Sequence, residues 1–342
     1  MRTYHFFPCW FCFVLFLFSG LLHAEETKTV TADKDRIIKT VQFLSEENFP
    51  RSATNQNKEK TLDFLVQSIT KAGLEATRSE LAVKRIVSDD DYLTSLVPHA
   101  DKTAVELRST PYTNINALKK GKTDKRIVIG AHYDALRITP GADDNASGVA
   151  ALIELAYLLK DVPQLNCDIE IAFYDGEEID CYGSKYHARK LKNQKIDVVC
   201  MLCADMVGFF SDEANSQGYP NENMKQVYGT TADFLAILGK PESIPMIRVA
   251  QKAFQESTTL KTMAPSDPKE LELLLWAWGV SDYESFSQEG YSFLLFMDTY
   301  DYRNGNYHQR SDTWNTLDYN RLAQVPVGMY HTILTIDAAQ KP

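Results

Sequence analysis

Between Arg126 and Asp205 the chain alternates between short apolar segments and helix-length ones, and few folds accommodate that order. RIVIGA (126–131), CDIEIAFYD (167–175) and DVVCMLCAD (197–205) are apolar runs of strand length. SGVAALIELAYLLK (147–160) and YGSKYHARKLK (182–192) read as the helices between them. Strands that return through helices to parallel neighbours do so by right-handed crossovers. The alternation therefore predicts an α/β fold of three layers, with a mostly parallel, mixed central sheet and helices on both faces. Ahead of it, helices are expected over 33–46 and 56–73, the second closed by Gly73, then strand-like segments near 74–85, 104–109 and 112–117. Beyond it come a strand in YSFLLFMDT (291–299) and a helical region from Leu317 that Pro326 should kink or split. Residues 208–240, rich in Gly, Asn, Ser and Pro, read as a long surface loop near the strand ends.

The N-terminus has a different character. One early Arg2, an apolar run from Phe6 to Leu22 and the small Ala24 form a signal-peptide layout over residues 1–24, with cleavage expected after Ala24. The protein is thus expected to be exported, with no stable membrane span once that segment is gone. No linker-like stretch interrupts residues 25–342, so one domain is expected there. The net charge of −10 and the lack of a Lys/Arg footprint argue against nucleic-acid binding; the one basic run, LKKGKTDKR (118–126), reads as a solvated loop entering a strand. Export permits disulfides, but Cys200 and Cys203 should point to opposite faces of one strand. They, Cys167 and Cys181 read as small buried apolar residues rather than a disulfide framework or a zinc–thiolate site.

Chemistry-bearing residues gather where a parallel sheet places function, after the carboxyl ends of its strands. His132 and Asp134 follow the first strand on one face, so the aspartate can hold the imidazole by a hydrogen bond, as metal-bound histidines require. Asp143 and Asp144 open the next helix, Glu177 and Glu178 follow the second strand, Asp205 ends the third, and NYHQRSDTW brings in His308. Adjacent carboxylates repel, and a fold alone has no use for the Glu177–Glu178 pair. Histidine and carboxylate ligands of this mix suit zinc. The plainer readings go elsewhere: Asp143 as a helix cap, His187 and His331 as helical histidines satisfied by backbone, and Asp168 and Glu170 as the polar side of a strand.

GAHYD (130–134), PGADDNASGVAAL (140–152), AFYDGEE (172–178), ADMVGFFSDEANSQGYP (204–220) and YHQRSDTWNTLDY (307–319) together resemble the ordered motifs of the zinc-dependent exopeptidases with two co-catalytic metals. That family includes bacterial leucyl aminopeptidases, and its fold also hosts the glutaminyl-peptide cyclotransferases. The likeness runs from about FPRSATN (49–55) to the last helix. It implies a zinc-peptidase fold over 25–342, with His132, Asp144, Glu178, Asp205 and His308 as ligands of two Zn²⁺ ions per chain. Asp144 matches the bridging carboxylate, Asn145 follows it at a peptide bond unusual in the family, Glu177 matches the general base, and Asp134 supports His132. Three carboxylates and two neutral imidazoles bring −3 against +4 from two zinc ions, leaving room for a hydroxide between metals ~3.5–4 Å apart. On this reading Glu178 is tied to a cation while Glu177 stays free to move protons. In GVSDYESFSQEGYSF (279–293) the chain departs from the family pattern, with Tyr283 where His is usual and Ser287 where Trp is usual.

The implied activity is removal of N-terminal residues from peptides with a free N-terminus. A single-zinc glutaminyl-peptide cyclotransferase is the alternative on the same fold. A non-catalytic ectodomain is a third reading, but it should have lost ligands, and none of the five is missing.

Overall fold

The computed structural model describes residues 30–51, 55–81, 112–278 and 281–340. The expected signal segment, the strand near 104–109, the part of 74–85 beyond Leu81 and residues 279–280 of the departing segment lie outside them. Among the described residues eight strands form one sheet: β1 (Ala76–Glu80), β2 (Thr113–Lys119), β3 (Lys125–His132), β4 (Asp168–Tyr174), β5 (Asp197–Ala204), β6 (Phe234–Leu238), β7 (Lys261–Met263) and β8 (Phe293–Met297). Their order is β1-β2-β4-β3-β5-β8-β6-β7. β3–β4, β3–β5, β5–β8 and β6–β7 pair parallel, and the other three pairings are antiparallel.

The main helices are α1 (Lys34–Gln42), α2 (Asn55–Lys71), α3 (Gly148–Leu159), α4 (Tyr182–Asn193), α5 (Ile244–Ser257), α6 (Pro268–Ala277), α7 (Asp282–Gln288) and α8 (Gln324–Ala338). β4 lies on one side of β3 and β5 on the other, so right-handed crossovers carry α3 and α4 to opposite faces. α1, α2 and α8 pack with α3, and α7 packs with α4, which completes the three layers. Every residue of β4 is buried, as a central strand covered on both faces requires. α3 is buried from Gly148 to Ala156; its one charge there, Glu154, is matched by Arg36, whose Nε donates to Oε2 at 2.6 Å.

Two expectations change in detail. Residues 208–240 are not one loop: Met224–Tyr228 forms a helical turn, and FLAIL (234–238) is a fully buried strand. Its five apolar residues were masked by the Gly- and Asn-rich chain before them. The terminal helix is split as expected, into Tyr319–Leu322 and α8. The break falls at Ala323, placing Pro326 in the first turn of α8, where a missing N–H costs nothing. Among the described residues no helix is long and apolar enough to cross a membrane. Cys167, Cys181, Cys200 and Cys203 are buried, as expected, and form no disulfide among the described residues.

The sheet's order reverses at β3, because the strand following it in sequence lies on one side and the next lies on the other. A crevice opens outside the strand carboxyl ends at such a reversal. His132, Tyr174 and Ala204 are the last residues of β3, β4 and β5.

Candidate active site

The structure brings all seven residues singled out in the sequence to that crevice. His132 Nε2 lies 3.3 Å from Asp144 Oδ1 and 3.4 Å from Asp205 Oδ1. His308 Nε2 lies 3.1 Å from Asp144 Oδ2 and 3.4 Å from Glu178 Oε2. The two oxygens of Asp144 therefore face different imidazoles. Glu177 stands further back, its Oε2 3.9 Å from His132 Nε2. Donor atoms of His132, Glu177 and Asp205 lie within 4.8 Å of one another, as do those of His132, Asp144 and Glu178. His308 is 30% exposed, whereas the other four members of the proposed ligand set are nearly inaccessible, so the crevice opens on the His308 side.

Each side chain is placed by local structure. Asp134 lies 3.4 Å from His132 Nδ1 and accepts the backbone N–H groups of Glu177 at 3.2 Å and Glu178 at 3.3 Å. One carboxylate thus fixes the histidine and the turn carrying both glutamates. Gly176, at φ 76°, makes that turn feasible, since a Cβ there would meet the Tyr112 ring at 2.8 Å. Glu178 Oε1 accepts Leu136 N–H at 3.0 Å, leaving Oε2 for His308. Asp144 sits in a distorted turn, Ala142–Ser147, with non-helical dihedrals at Asp144 and Asn145 and a cis peptide between them. Asn145 ties this turn to β5: its Nδ2 donates to Ala204 O at 3.0 Å, and its Oδ1 accepts Gly148 and Met206 N–H.

Several supports escaped sequence reasoning. Arg51 is buried and donates to the carbonyls of Tyr133 and Pro140 at 2.6 Å each, and of Asp134 and Asp144 at 3.1 Å each. Gly141, at φ 63°, makes room for it, because a Cβ there would lie 2.7 Å from its Nη2. Asp312 accepts the N–H groups of Asp143 at 2.9 Å and Asp144 at 3.1 Å. Arg51 lies in FPRSATN and Asp312 in HQRSDTW, but nothing in those segments marks a residue that works on backbone groups.

The plain readings need revision as well. Asp143 is not a helix cap; it accepts Gly208 N–H at 2.9 Å and Asn304 Nδ2 at 2.7 Å, joining three loops. His187 is satisfied by side chains rather than backbone, through Tyr174 Oη at 3.0 Å and Glu170 Oε1 at 3.2 Å. Asp168 and Glu170 are buried and paired with Arg126, Asp168 also with Lys120. Tyr283 is buried with its ring stacked on Phe293 at 4.5 Å.

The cluster is short of positive charge. Burial opposes charge on His132, but Glu177 and Asp205 overcome it and push its pKa well up. Burial likewise opposes charge on His308, and Asp144 and Glu178 raise it to about 10. Burial first, then the neighbouring Asp144, pushes Glu178 up to about 7. Glu177 is raised well above the usual carboxylate range by burial and then by Asp205 and Glu178, against the pull of His132. Asp144 Oδ2 and Asp205 Oδ1 are buried and accept no aligned hydrogen bond from the described residues, although imidazole nitrogens lie at contact distance. Carboxylate oxygens and imidazole nitrogens that converge at 3.1–3.4 Å without aligned hydrogen bonds fit a shared metal cation.

A three-layer α/β fold with such a cluster at its switch point is an arrangement that could hold metal ions at a site open to substrate. Peptidase family M28 matches residues 114–333, and the chain belongs to that family; it is an enzyme of the metallo-exopeptidase class. It is 31% identical over 313 residues, 87% of each chain, to the uncharacterized protein YfbL of Escherichia coli K12. It is 27% identical over 323 residues to leucine aminopeptidase 1 of Metarhizium robertsii, covering 86% of this chain and 76% of that one. Among solved structures, LapB from Legionella pneumophila superimposes with a TM-score of 0.64 at 19% identity, covering 90% of this chain and 72% of that one. A Fimbriiglobus ruber glutaminyl cyclase gives 0.63 at 19%, covering 90% and 97%. BSAP, a zinc aminopeptidase from Bacillus subtilis, gives 0.62 at 15%, covering 88% and 94%. At these identities the superpositions define the fold.

Arg51 yields a direct expectation. Its planar fork reaches four carbonyls along the single connection from β3 to α3, which a lysine's single ammonium cannot do. Arg51→Lys is expected to lower the unfolding free energy by about 1–3 kcal/mol through buried carbonyls left without donors. Urea denaturation of the metal-free protein measures this, and an unchanged midpoint contradicts it.

Proposed function

We propose that this chain is an exported aminopeptidase that uses two zinc ions to remove N-terminal residues from peptides with a free α-amine. The supporting observation is Asp144, whose two oxygens face His132 at 3.3 Å and His308 at 3.1 Å. In this reading His132, Asp205 and Asp144 hold one zinc, and Glu178, His308 and Asp144 hold the other. The zinc pair, when bound, polarises the scissile carbonyl and lowers the pKa of the attacking water. Asp134 keeps the ring of His132 oriented, as the partner of a ligating histidine does. Glu177 Oε2 stands 3.9 Å from His132 Nε2, and this reading keeps it outside both ligand sets because it matches the family's general base. From there its carboxylate takes the proton of the attacking water and returns it to the leaving amine. The cyclotransferase alternative shares the fold but needs one zinc, and the paired arrangement around Asp144 favours two.

Four measurements on one preparation test this reading. Zinc analysis should give two ions per chain, and a chelator should abolish aminopeptidase activity that added zinc restores. Full activity with one ion would remove the bridging role of Asp144. Aminoacyl substrates and free peptides should be cleaved, N-acetylated peptides should not, and N-terminal glutaminyl peptides should not cyclise at a comparable rate.

The two neighbouring glutamates are separable by substitution. Glu177→Gln keeps shape and all five proposed ligands, so zinc content should hold while turnover drops roughly 10²–10⁴-fold, mostly in kcat. Glu178→Gln exchanges an anionic ligand for a neutral one, so it should lose zinc and recover part of its activity in excess zinc. Rescue of Glu177→Gln by zinc would reverse the two roles.

Export, proposed from the apolar run ending before Ala24, predicts a mature protein that starts near Glu25. N-terminal sequencing of protein from its natural host checks it, and an intact Met1 in the membrane fraction would argue for an anchor instead.

A further inference from the structure

We propose that Tyr300 is the positioning residue that turns Asp205 toward the metal site, an inference that rests on the reading of Asp205 as a ligand. The chain leaves β8 at Met297 and enters two left-handed residues that are not glycine, Thr299 at φ 86° and Tyr300 at φ 53°. Such backbone is costly for residues with a Cβ and persists only where surrounding contacts hold it. Here they do. Asp298 N–H donates to Met206 O at 2.7 Å, Asp205 N–H donates to Phe296 O at 3.1 Å, and Asp298 Oδ1 accepts Tyr300 N–H at 3.1 Å. The ends of β5 and β8 are thereby fastened together, and the strained turn sends the Tyr300 side chain back under the site.

Its hydroxyl donates to Asp205 Oδ2 at 3.2 Å, with the ring buried. That bond occupies one oxygen of the carboxylate. The other, Oδ1, is the oxygen that faces His132 Nε2 at 3.4 Å and accepts no hydrogen bond from the described residues. A carboxylate held this way offers a cation one oxygen in one orientation, whereas a free one rotates and can present either. The Tyr300 ring also stacks on Tyr307 at 5.4 Å, and Tyr307 stacks on His308 at 3.8 Å. One aromatic column thus touches a proposed ligand of each zinc, by a hydroxyl at one end and a ring face at the other. Tyr300 reaches neither His132 nor Asp144 by any contact described above, so it acts through Asp205.

The test is zinc affinity, read by competition with a chromogenic chelator, on Tyr300→Phe, Asp205→Asn and the double variant. Phenylalanine keeps the ring and its stacking and deletes only the hydroxyl. Tyr300→Phe is expected to keep the thermal midpoint of the metal-free protein while weakening one of the two zinc ions by roughly 10–100-fold, the range seen when partners of metal ligands are removed. In the Asp205→Asn background it should cause little further loss, because the hydroxyl then has no anionic ligand to orient. Unchanged zinc affinity in Tyr300→Phe, fully additive losses in the double variant, or failure of Tyr300→Phe to fold would each overturn the proposal. If Asp205→Asn itself leaves zinc affinity unchanged, it is the ligand reading of Asp205 that fails.

Discussion

Four carboxylates, those of Asp144, Glu177, Glu178 and Asp205, lie buried or half-buried around two imidazoles, and the surrounding structure is organised by the repulsion among them. At low dielectric such a group cannot stay fully ionised without cations or donors close by. Buried Arg51 brings one positive charge to the carbonyls of the β3–α3 connection, and Asp312 and Asp134 accept amides of the turns that carry Asp144 and the two glutamates. The remaining deficit lies between Asp144, Asp205 and the histidines, where oxygens and nitrogens converge at 3.1–3.4 Å without aligned hydrogen bonds. A metal that binds only the folded state would relieve that deficit and stabilise the fold as it completes the site.

The scaffold makes this possible by bringing the cluster from distant parts of the chain to the carboxyl ends of the central strands. β3, β4 and β5 deliver His132, the Glu177–Glu178 turn and Asp205 because their order reverses at β3. Asp144 arrives at the entrance to α3, and His308 on an outer loop at φ 57°, held there by the turn Asn304–Asp312. The first three positions come from elements with neighbours on both sides. His308 depends on loop contacts and on the stacked ring of Tyr307, which is consistent with its being the most exposed of the set.

That division also explains what could be read in advance. Apolar strands alternating with helices announce a parallel sheet, and strand-end acids and histidines announce a site, because both follow from side-chain periodicity and position. FLAIL (234–238) was missed because turn-forming residues precede it and only its place between β7 and β8 makes it a strand of the sheet. Arg51 and Asp312 were missed for another reason: their partners are backbone groups, which carry no residue identity. Tyr300 reached its place through a strained turn that no propensity favours. Asp143 misled because an acidic residue before a helix resembles a cap, whereas here the fold uses it to join Gly208 and Asn304.

The adjacent glutamates illustrate how identical side chains come to differ. Both backbone amides are held by Asp134, so the turn itself does not distinguish them. What distinguishes them is the second oxygen. Glu178 Oε1 is fixed by Leu136 N–H, which aims Oε2 at His308; Asp205 Oδ2 is fixed by Tyr300, which leaves Oδ1 near His132; Asp144 has an oxygen for each histidine. Among the described residues Glu177 Oε1 has only the thiol of Cys181, a weak donor, at 3.8 Å. On the proposed assignment, three carboxylates stand as ligands, while Glu177 is left with a weaker partner, as a proton-transfer group would be. In the proposed reading, the partner of the oxygen facing away from the metals is what separates Glu178 and Asp205 as ligands from Glu177 as a base, while Asp144 gives both oxygens to the site.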